Sequence, residues 1–329
     1  MNFLQLFHSD TPIFLAPMAG ITDMPFRRLV SSFGASATVS EMVSCEAMVR
    51  RNPRTYGRLV DGSPSLPKIV QIFGSNPQNM AESAKLNEYL GADAIDINMG
   101  CPARKIISNN AGAALLKDEE LAVKIAECVV TAVNVPVTVK MRLGWDAEHI
   151  NFLRLAKKFE DVGVKMLSIH CRTRNQMYSG SANWSAIAEL KNIIRIPYIC
   201  NGDIKTPEDA VTAMDLSRAD GVMVGRGALG KPWRLCQIMD FVRLGKITPP
   251  PSLPEQLDIV LGHFQDTLNF YGETRGLRVF RKHFCWYSDG LNGASRFREI
   301  INRSDNIVFM ENAVRDIYEK QFRELSGDL

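Results

Sequence analysis

The sequence predicts an α/β fold, a (β/α)8 TIM barrel followed by a small C-terminal α-helical bundle. Eight short apolar runs recur between residues 13 and 225, helical patterns separate most of them, and a proline-rich stretch then ends the rhythm. Alternating strand and helix patterns indicate a parallel sheet. A closed barrel of this kind takes about 250 residues, which matches the length of the repeating region better than a doubly wound sheet does.

Each apolar run has the β-branched character of a buried strand. Segments such as MAESAKLNEYLG and EELAVKIAECVVTAV lie between the runs and have helical periodicity. Residues 1–243 are therefore expected to form the barrel. The eight runs are IFLAPM from residue 13, ATVSEM from 37, KIVQIF from 68, DAIDINM from 93, PVTVKM from 136, MLSIHC from 166, PYICNG from 197 and DGVMVG from 220.

A change of composition marks the end of the barrel. The segment LGKITPPPSLPEQ, from residue 244, contains four prolines, which neither a helix nor a central strand tolerates. We expect a linker at 244–254 and a helical domain at 255–329. Three amphipathic helices are predicted there, in EQLDIVLGHFQDTLNFYG, GLRVFRKHFCWYSDG and ENAVRDIYEKQFREL.

The composition is typical of a soluble globular protein, with 46% hydrophobic and 23% charged residues. The segment MNFLQLFHSDTP resembles no signal peptide, and no apolar stretch is long enough to span a membrane, so a cytoplasmic protein is expected. The seven cysteines are at least 27 residues apart, which predicts neither a disulfide framework nor a metal site. The net charge of +3 requires any polyanion to bind a local patch. A monomer is expected, although no pattern in the sequence reports on assembly.

Residues suited to ligand binding follow nearly every predicted strand. The carboxyl ends of all barrel strands meet on one face, so these residues should line a single pocket. Cys101 follows the fourth run on a Met-Gly-Cys-Pro turn, and we expect it in the same pocket and not in the core. The other members are Pro17, Met18, Glu41, Gln71, Asn98, Lys140, Arg142, His170, Asn201, Asp203, Gly225 and Arg226.

The segment GRGALGKP, residues 225–232, has the spacing of both a dinucleotide fingerprint and a P-loop. Neither interpretation holds, because prolines stand where the first needs an acidic residue, and Pro232 replaces the Ser or Thr of the second. In a barrel, GRG and NGDI are the loops after strands eight and seven, which often bind phosphate. Arg226 could add a bidentate contact. Two tight turns without a ligand are the alternative.

Seven motifs, in the same order, closely resemble the tRNA-dihydrouridine synthases, above all their B-type bacterial subgroup. They span nearly the whole chain and are LAPMAGITDMPFR, VQIFG, DINMGCPARK, VTVKMRLGW, IHCRTR, NGDI and GVMVGRGALGKPW. The resemblance implies a barrel that binds FMN, takes hydride from NADPH or NADH, and reduces the C5=C6 bond of a uridine in tRNA. It implies Cys101 as proton donor, and FMN contacts at Pro17, Met18, Ala19, Gln71, Lys140, Asn201, Gly202, Asp203, Gly225 and Arg226, with His170 nearby.

The residue types agree with this chemistry. Hydride should reach C6 of uracil, and a proton must then reach C5; a thiol of ordinary acidity is mostly protonated at neutral pH and can supply it. Arg104 and Lys105 could instead favour the thiolate and make Cys101 a nucleophile. A cysteine buried as a small apolar residue is the third possibility.

Lys140, Gln71 and His170 have both a functional and a purely structural interpretation, and Arg142 and Asn98 have a functional one. Lys140 would place a cation beside a reduced flavin, or form a salt bridge at the rim. Arg142, two positions later on the same strand face, could meet phosphate or base, as could Asn98. Gln71 could hydrogen-bond the flavin pyrimidine or a neighbouring strand. His170 could orient flavin or uracil, or be a core histidine, and no metal-ligand spacing surrounds it.

The second tail helix is a candidate tRNA-binding element. On a helical wheel, Leu277, Phe280, Phe284 and Tyr287 fall opposite a basic side formed by Arg275, Arg278, Arg281, Lys282 and Trp286. Segment 272–298 contains six basic and two acidic residues, so we expect phosphate contacts by Arg275, Arg278 and Lys282. Arg50, Arg51 and Arg54 could extend the surface. A solvated helix face without RNA is the alternative.

Two other functions fit the same patterns. One is a flavin-dependent barrel oxidoreductase acting on a small molecule, similar to the dihydroorotate or old-yellow-enzyme groups, which would turn over without RNA. The other is an RNA-binding folding chaperone that keeps a flavin site, which would bind tRNA without consuming uridine.

Overall fold

A closed parallel barrel forms the first part of the chain in the computed structural model, which describes residues 3–7, 10–50 and 66–326. Every neighbouring pair of strands is parallel, and β1 joins β9 on one side and β2 on the other, which confirms the predicted fold. The strands are β1 Ile13–Leu15, β2 Ala37–Val39, β3 Val43–Ser44, β4 Lys68–Phe73, β5 Ala94–Met99, β6 Val137–Arg142, β7 Met166–His170, β8 Tyr198–Asn201 and β9 Gly221–Val224.

The second predicted strand is split in two. Both β2 and β3 pair with β4, through Thr38 opposite Lys68 and Val43 opposite Ile72. Between them the Ser40 hydroxyl donates to the Glu41 carbonyl at 2.9 Å and accepts from the Gln71 amide at 3.0 Å. These side-chain bonds replace ladder bonds, so β2 and β3 together fill one of the eight barrel positions.

Helices and short turns connect the strands and cover the outside of the barrel. Side-chain caps start several of them: Asp23, Asn76 and Asp118 accept from the backbone three residues later. The helices are α1 Met24–Ser32, α2 Cys45–Val49, α3 Pro77–Tyr89, α4 Arg104–Ile107, α5 Glu119–Ala132, α6 Phe152–Asp161, α7 Leu190–Ile193, α8 Pro207–Ser217 and α9 Arg234–Leu244.

Strand alternation divides the buried residues into two layers. Outward-facing residues such as Ile95, Ile97 and Val139 pack against the helices. Inward-facing residues at the amino ends of the strands form an apolar floor of Phe14, Ala94, Met166, Ile199 and Met223, closed from below by Leu4 and Phe7. Polar inward-facing residues therefore lie toward the carboxyl ends, which is where the floor leaves space for a ligand.

A non-helical segment and a group of helices follow the barrel. Residues 245–252 are non-helical, and α10 begins at Leu253 after a capping box formed by Ser252 and Glu255. The described tail has four helices and not the three predicted: α10 Leu253–Tyr271, α11 Glu273–Tyr287, α12 Ala294–Arg303 and α13 Ile307–Ser326. The helix α12 was not predicted, because only two of its ten residues, Phe297 and Ile301, are buried, and so few apolar positions give a weak helical pattern.

The tail packs against the first helix of the barrel. Phe26 of α1 packs against the rings of both His263 and His283, with centroids 5.5 and 5.4 Å away, and Arg28 pairs with Asp266 at 2.9 Å. The tail is thus a helical unit fixed to one side of the barrel.

In the described residues, no helix is both long and apolar enough to cross a bilayer.

We expect Gly230→Ala to lower the free energy of unfolding by disturbing the contact between the barrel and the tail. Gly230 has a φ of +68°, and a Cβ there would lie 2.3 Å from the Trp286 carbonyl oxygen of α11. Gly245→Ala is the control, because Gly245 has a φ of +63° but open space around it. Both substitutions should cost about 1 kcal/mol for the left-handed backbone, and Gly230→Ala roughly 1–3 kcal/mol more for the clash. Equal free energies of unfolding in denaturant titrations would contradict the close contact.

Candidate active site

A cavity of about 490 Å³ opens at the carboxyl ends of the strands, a size typical of pockets for small molecules and cofactors. The barrel brings together here all but one of the strand-end residues that the sequence analysis expected in a single pocket, together with Ala19 and Gly202. They are Pro17, Met18, Ala19, Gln71, Asn98, Cys101, Lys140, Arg142, His170, Asn201, Gly202, Asp203, Gly225 and Arg226.

Glu41 was expected in this cavity, and that expectation is wrong. Its carboxylate accepts from the Gly20 amide at 2.5 Å and does not line the cavity. The cause is the break between β2 and β3, which turns residue 41 away and places Met42 on the wall instead. Arg50 is exposed after α2, and Arg51 and Arg54 lie outside the described residues.

The loop that carries Cys101 is fixed by hydrogen bonds on both sides of the thiol. The Asn98 side-chain oxygen accepts from the amides of Gly100 at 3.2 Å and Cys101 at 2.9 Å. The Cys101 carbonyl accepts from Ala113 at 3.1 Å. Residue 112 must be glycine, because a Cβ there would lie 2.9 Å from the Cys101 carbonyl oxygen. Cys101 is partly exposed to the cavity and not sealed in the core.

A line of polar side chains runs from the barrel floor to this loop. Asp96 is 3% exposed, and its Oδ2 accepts from Gln71 Nε2 at 2.7 Å while its Oδ1 accepts from the Thr138 hydroxyl at 2.6 Å. Gln71 Oε1 in turn accepts from Asn98 Nδ2 at 2.8 Å. Strand register places these residues side by side, since Gln71 and Thr138 both lie opposite Asp96.

Lys140 is a partly buried cation that lines the cavity. Its Nζ donates to Asn201 Oδ1 at 3.0 Å, and Asn201 donates to the Met223 carbonyl at 2.7 Å, which fixes the amide. Burial, with a smaller contribution from Arg142, lowers the pKa of Lys140 to about 8, and Asp96 partly opposes this. An ammonium group has three donors, so Lys140 can also contact a ligand.

Two buried arginines hold the segment 173–180 over the cavity. Arg142 donates through Nε to the Gly100 carbonyl and through NH1 to the carbonyls of Thr173 and Met177, each at 2.9 Å. Arg172, 1% exposed, donates to the Ser179 carbonyl at 3.2 Å and to that of Gly180 at 2.7 Å. The guanidinium of Arg142 therefore orients two loops, in addition to lining the cavity.

His170 lies among these cations and is neutral at physiological pH. Burial is the main cause that lowers its pKa below the usual range, and Arg142, Lys140 and Arg172 add to it. Its Nε2 is 3.3 Å from Arg172 NH1. A neutral imidazole offers one donor and one acceptor, which suits hydrogen bonding to a ligand edge better than ion pairing.

The two glycine loops predicted to hold phosphate are in direct contact. A Cβ on Gly227 would lie 2.4 Å from the Ile204 carbonyl oxygen, so only glycine allows the loops to approach this closely. Asp203, with a φ of 55°, accepts from Arg172 and lies 3.6 Å from Arg226. Arg226 remains half exposed, with its guanidinium 4.8 Å from the ring of Tyr178.

The tail cations fall into two groups. Arg275 and Arg278 are exposed on α11. Arg281 donates to the Ser304 carbonyl at 2.7 Å and to Asp305 at 2.6 Å, and Lys282 donates to the carbonyl of Gly20, next to the cavity residues Met18 and Ala19. The apolar side is buried as expected, through Leu277, Phe280, Phe284 and Tyr287.

Sequence reasoning missed Asp96, Arg172 and Tyr178. The first two could have been found, because Asp96 precedes Asn98 by two residues and Arg172 follows His170 by two, so strand alternation puts each on the inner face. Tyr178 lies on a loop with no strand register, and nothing in the local pattern reveals its position.

The sequence profile of the family described as dihydrouridine synthase (Dus) matches residues 14–322. The chain is 46% identical over 309 residues to a probable tRNA-dihydrouridine synthase of Rickettsia bellii (strain RML369-C), covering 93% of this chain and 94% of that protein. It is 41% identical over 315 residues to tRNA-dihydrouridine synthase B of Pseudomonas aeruginosa, covering 96% and 95%. The predicted resemblance to the B-type subgroup is therefore confirmed.

Solved structures support the barrel. A 2-naphthoyl-CoA reductase complex matches with a TM-score of 0.56 over 69% of this chain and 50% of that chain, at 12% identity. Histamine dehydrogenase from Rhizobium sp. 4-9 matches with a TM-score of 0.55 over 77% and 48%, also at 12% identity. These likenesses show the fold alone. The match to the family profile over nearly the whole chain shows that this protein belongs to the dihydrouridine synthase family.

Proposed function

We propose that this protein is an FMN-dependent tRNA-dihydrouridine synthase that uses NADPH or NADH to reduce the C5=C6 bond of uridine in tRNA. The observation that supports this most directly is a rigidly held thiol, Cys101, at the wall of a cation-lined cavity in the barrel mouth. A cytoplasmic location is part of the proposal, because folded tRNA is the substrate, and we also propose that the enzyme is a monomer.

The cavity residues suit FMN. Backbone approach to a phosphate is open at Gly225, where an added Cβ would meet nothing closer than the Met18 sulfur at 3.7 Å, and Arg226 supplies charge there. The N-terminus of α8 is already satisfied by its own box of Thr206 and Asp209, so we assign the phosphate to the turn at 225–227. The residues that would hold FMN are Pro17, Met18, Ala19, Gln71, Lys140, His170, Asn201, Gly202, Asp203, Gly225 and Arg226.

FMN, when bound, would supply hydride transfer, and the chain would supply orientation, charge and the proton. Lys140 would stabilise negative charge that develops during reduction, since its ammonium group is held in the cavity by its hydrogen bond to Asn201. Cys101 would transfer its proton to C5 of uracil once C6 has accepted hydride, so that one hydride and one proton are added across the double bond. Asn98 and Arg142 would shape the uracil subsite and orient the thiol loop.

A uridine can reach the barrel mouth only if it leaves its stack in folded tRNA, so the enzyme needs a grip on the surrounding backbone. We assign this to Arg275 and Arg278, which are exposed on α11. Lys282 belongs to the same proposed surface, but its ammonium already donates to Gly20 of the barrel. It would therefore connect the RNA-binding helix to the loop that carries Met18 and Ala19.

We expect Cys101→Ala to bind FMN and accept electrons from NADPH while forming roughly 10²- to 10⁴-fold less dihydrouridine, because it lacks the proton donor. Mass spectrometry of nucleosides from unmodified tRNA measures the product, and visible absorbance measures flavin content and reduction. Cys128→Ala, a thiol on α5 outside the cavity, should behave like wild type. Wild-type product formation by Cys101→Ala would exclude the acid role.

We expect Lys140→Met to slow reduction of bound flavin by NADPH roughly 10²-fold, because one fixed positive charge is lost. The wild-type rate should also fall as pH rises through about 8, where Lys140 loses its proton, and the variant should not show this decrease. Lys68→Met is the control, because Lys68 begins β4 at the opposite end of the barrel. Stopped-flow absorbance gives both rates; equal rates for wild type and Lys140→Met would remove Lys140 from the reaction.

We expect Arg275→Glu/Arg278→Glu to weaken tRNA binding and to make log Kd less dependent on log salt by about one unit for each phosphate contact removed. Binding is measured by filter retention at several salt concentrations. Arg315→Glu/Lys320→Glu alters net charge equally at exposed positions of α13 and should bind tRNA nearly as wild type does. NADPH oxidation by oxygen should be unchanged in both. An equal loss of tRNA affinity in the two variants would indicate a general effect of net charge and no specific tRNA-binding surface on α11.

A further inference from the structure

The buried carboxylate of Asp96 has no role in the proposed chemistry. It lies in the barrel interior below the cavity, does not line the cavity, and is 3% exposed. Burying a carboxyl group in a barrel is costly unless its oxygens are satisfied. Both are, by the Gln71 amide and the Thr138 hydroxyl. Gln71 in turn accepts a hydrogen bond from Asn98, and Asn98 accepts one from the backbone amide of Cys101.

We infer that Asp96 is a positioning residue that fixes the Cys101 loop through Gln71 and Asn98; this inference rests on the proposed role of Cys101 as proton donor. The three side chains form a directed chain of hydrogen bonds, with lengths of 2.7 Å from Gln71 to Asp96, 2.8 Å from Asn98 to Gln71 and 2.9 Å from the Cys101 amide to Asn98.

The direction of the chain follows from its two ends. Oδ2 of Asp96 accepts from the Gln71 side chain, and Oδ1 accepts from the Thr138 hydroxyl. The amides of Gly100 and Cys101 can only donate. Gln71 must therefore turn its NH2 to Asp96 and its oxygen to Asn98, and Asn98 must turn its oxygen to the thiol loop. Each amide has one orientation that satisfies both neighbours.

Loss of the acceptor at Asp96 would leave Gln71 held at one end only. Its buried NH2 would lack a partner, which favours rotation of the Gln71 side chain and removes the acceptor for Asn98 Nδ2. Asn98 could then move, and the amides of Gly100 and Cys101 would lose their shared acceptor. The thiol would be intact but less precisely placed, which reduces proton transfer more than substrate binding.

Asp96 also lies near Lys140 and could act only as its counter-charge. Two substitutions separate these roles. Asp96→Leu keeps the branched shape and removes the acceptor. Asp96→Asn removes the charge but can turn its oxygen to Gln71 and its NH2 to the Thr138 oxygen, so the directed chain is kept. If Asp96 is a positioning residue, Asp96→Asn should keep the wild-type order of the Cys101 loop and Asp96→Leu should lose it. If Asp96 acts only as a counter-charge, both variants should have the same defect.

The first measurement is hydrogen exchange of the Gly100 and Cys101 amides in the purified protein, which needs no NADPH or tRNA. Asp96→Leu should raise their exchange roughly 5- to 10-fold, the value of one buried hydrogen bond, and Asp96→Asn should not. Thr138→Val removes the other bond to the same carboxylate and is the packing control, with little change expected. Equal exchange in Asp96→Leu and wild type would overturn the inference, as would equal increases in all three variants.

The second measurement is a double-mutant cycle with Asn98→Ala. Because Asp96 is inferred to act through Asn98, Asp96→Leu should change amide exchange at Cys101 little in the Asn98→Ala background; additive effects would contradict the chain. Dihydrouridine formation should show a lower kcat with an unchanged KM for tRNA in Asp96→Leu. If the wild-type protein makes no dihydrouridine but the exchange pattern holds, the proposed function fails and the positioning role stands.

If Asp96→Leu does not fold, Gln71→Met breaks the chain at its next member and leaves Asp96 bonded to Thr138. It should raise exchange of the Cys101 amide by a similar factor. Protection equal to that of wild type in folded Gln71→Met would overturn the inference.

Discussion

Closure of the parallel barrel is the constraint on which the rest of this structure depends. Hydrogen bonds between β1 and β9 complete a ring of strands whose carboxyl ends all open into one cavity. Residues as distant in sequence as Met18 and Arg226 become neighbours for this reason alone. The apolar floor at the amino ends, with Phe14, Met166 and Met223 inside the ring, leaves the opposite end for polar groups and a ligand.

The cost of burying charge then organises the cavity. Asp96, Arg142 and Arg172 are buried and Lys140 is partly buried, and each must find partners to remain there. The arginines use carbonyls of the loops that surround the cavity, and the carboxylate uses the amide of Gln71. The same bonds that make burial tolerable therefore fix the loops, so that the thiol of Cys101 sits on a rigid support and not on a free loop.

The tail shows why a count of charges overstates a binding surface. Of the four cations on the basic side of α11, Arg281 is bonded within the tail and Lys282 to the barrel, while Arg275 and Arg278 are exposed. A helical wheel cannot make this distinction, because the partners Ser304 and Gly20 come from other parts of the chain. The contact of Lys282 with the loop after β1 also links the tail mechanically to the cavity.

The sequence by itself determined the barrel, its order of strands and most of the residues that line the cavity, because strand periodicity and the shared direction of parallel strands follow from local pattern. It could not determine the split between β2 and β3 that turns Glu41 away, the helix α12, or the position of Tyr178. It also left open which partner each inward-facing polar residue selects. Those features depend on hydrogen bonds between segments distant along the chain, such as Gln71 with Asp96 and Arg142 with Met177. Only the closed tertiary structure brings these donors and acceptors together.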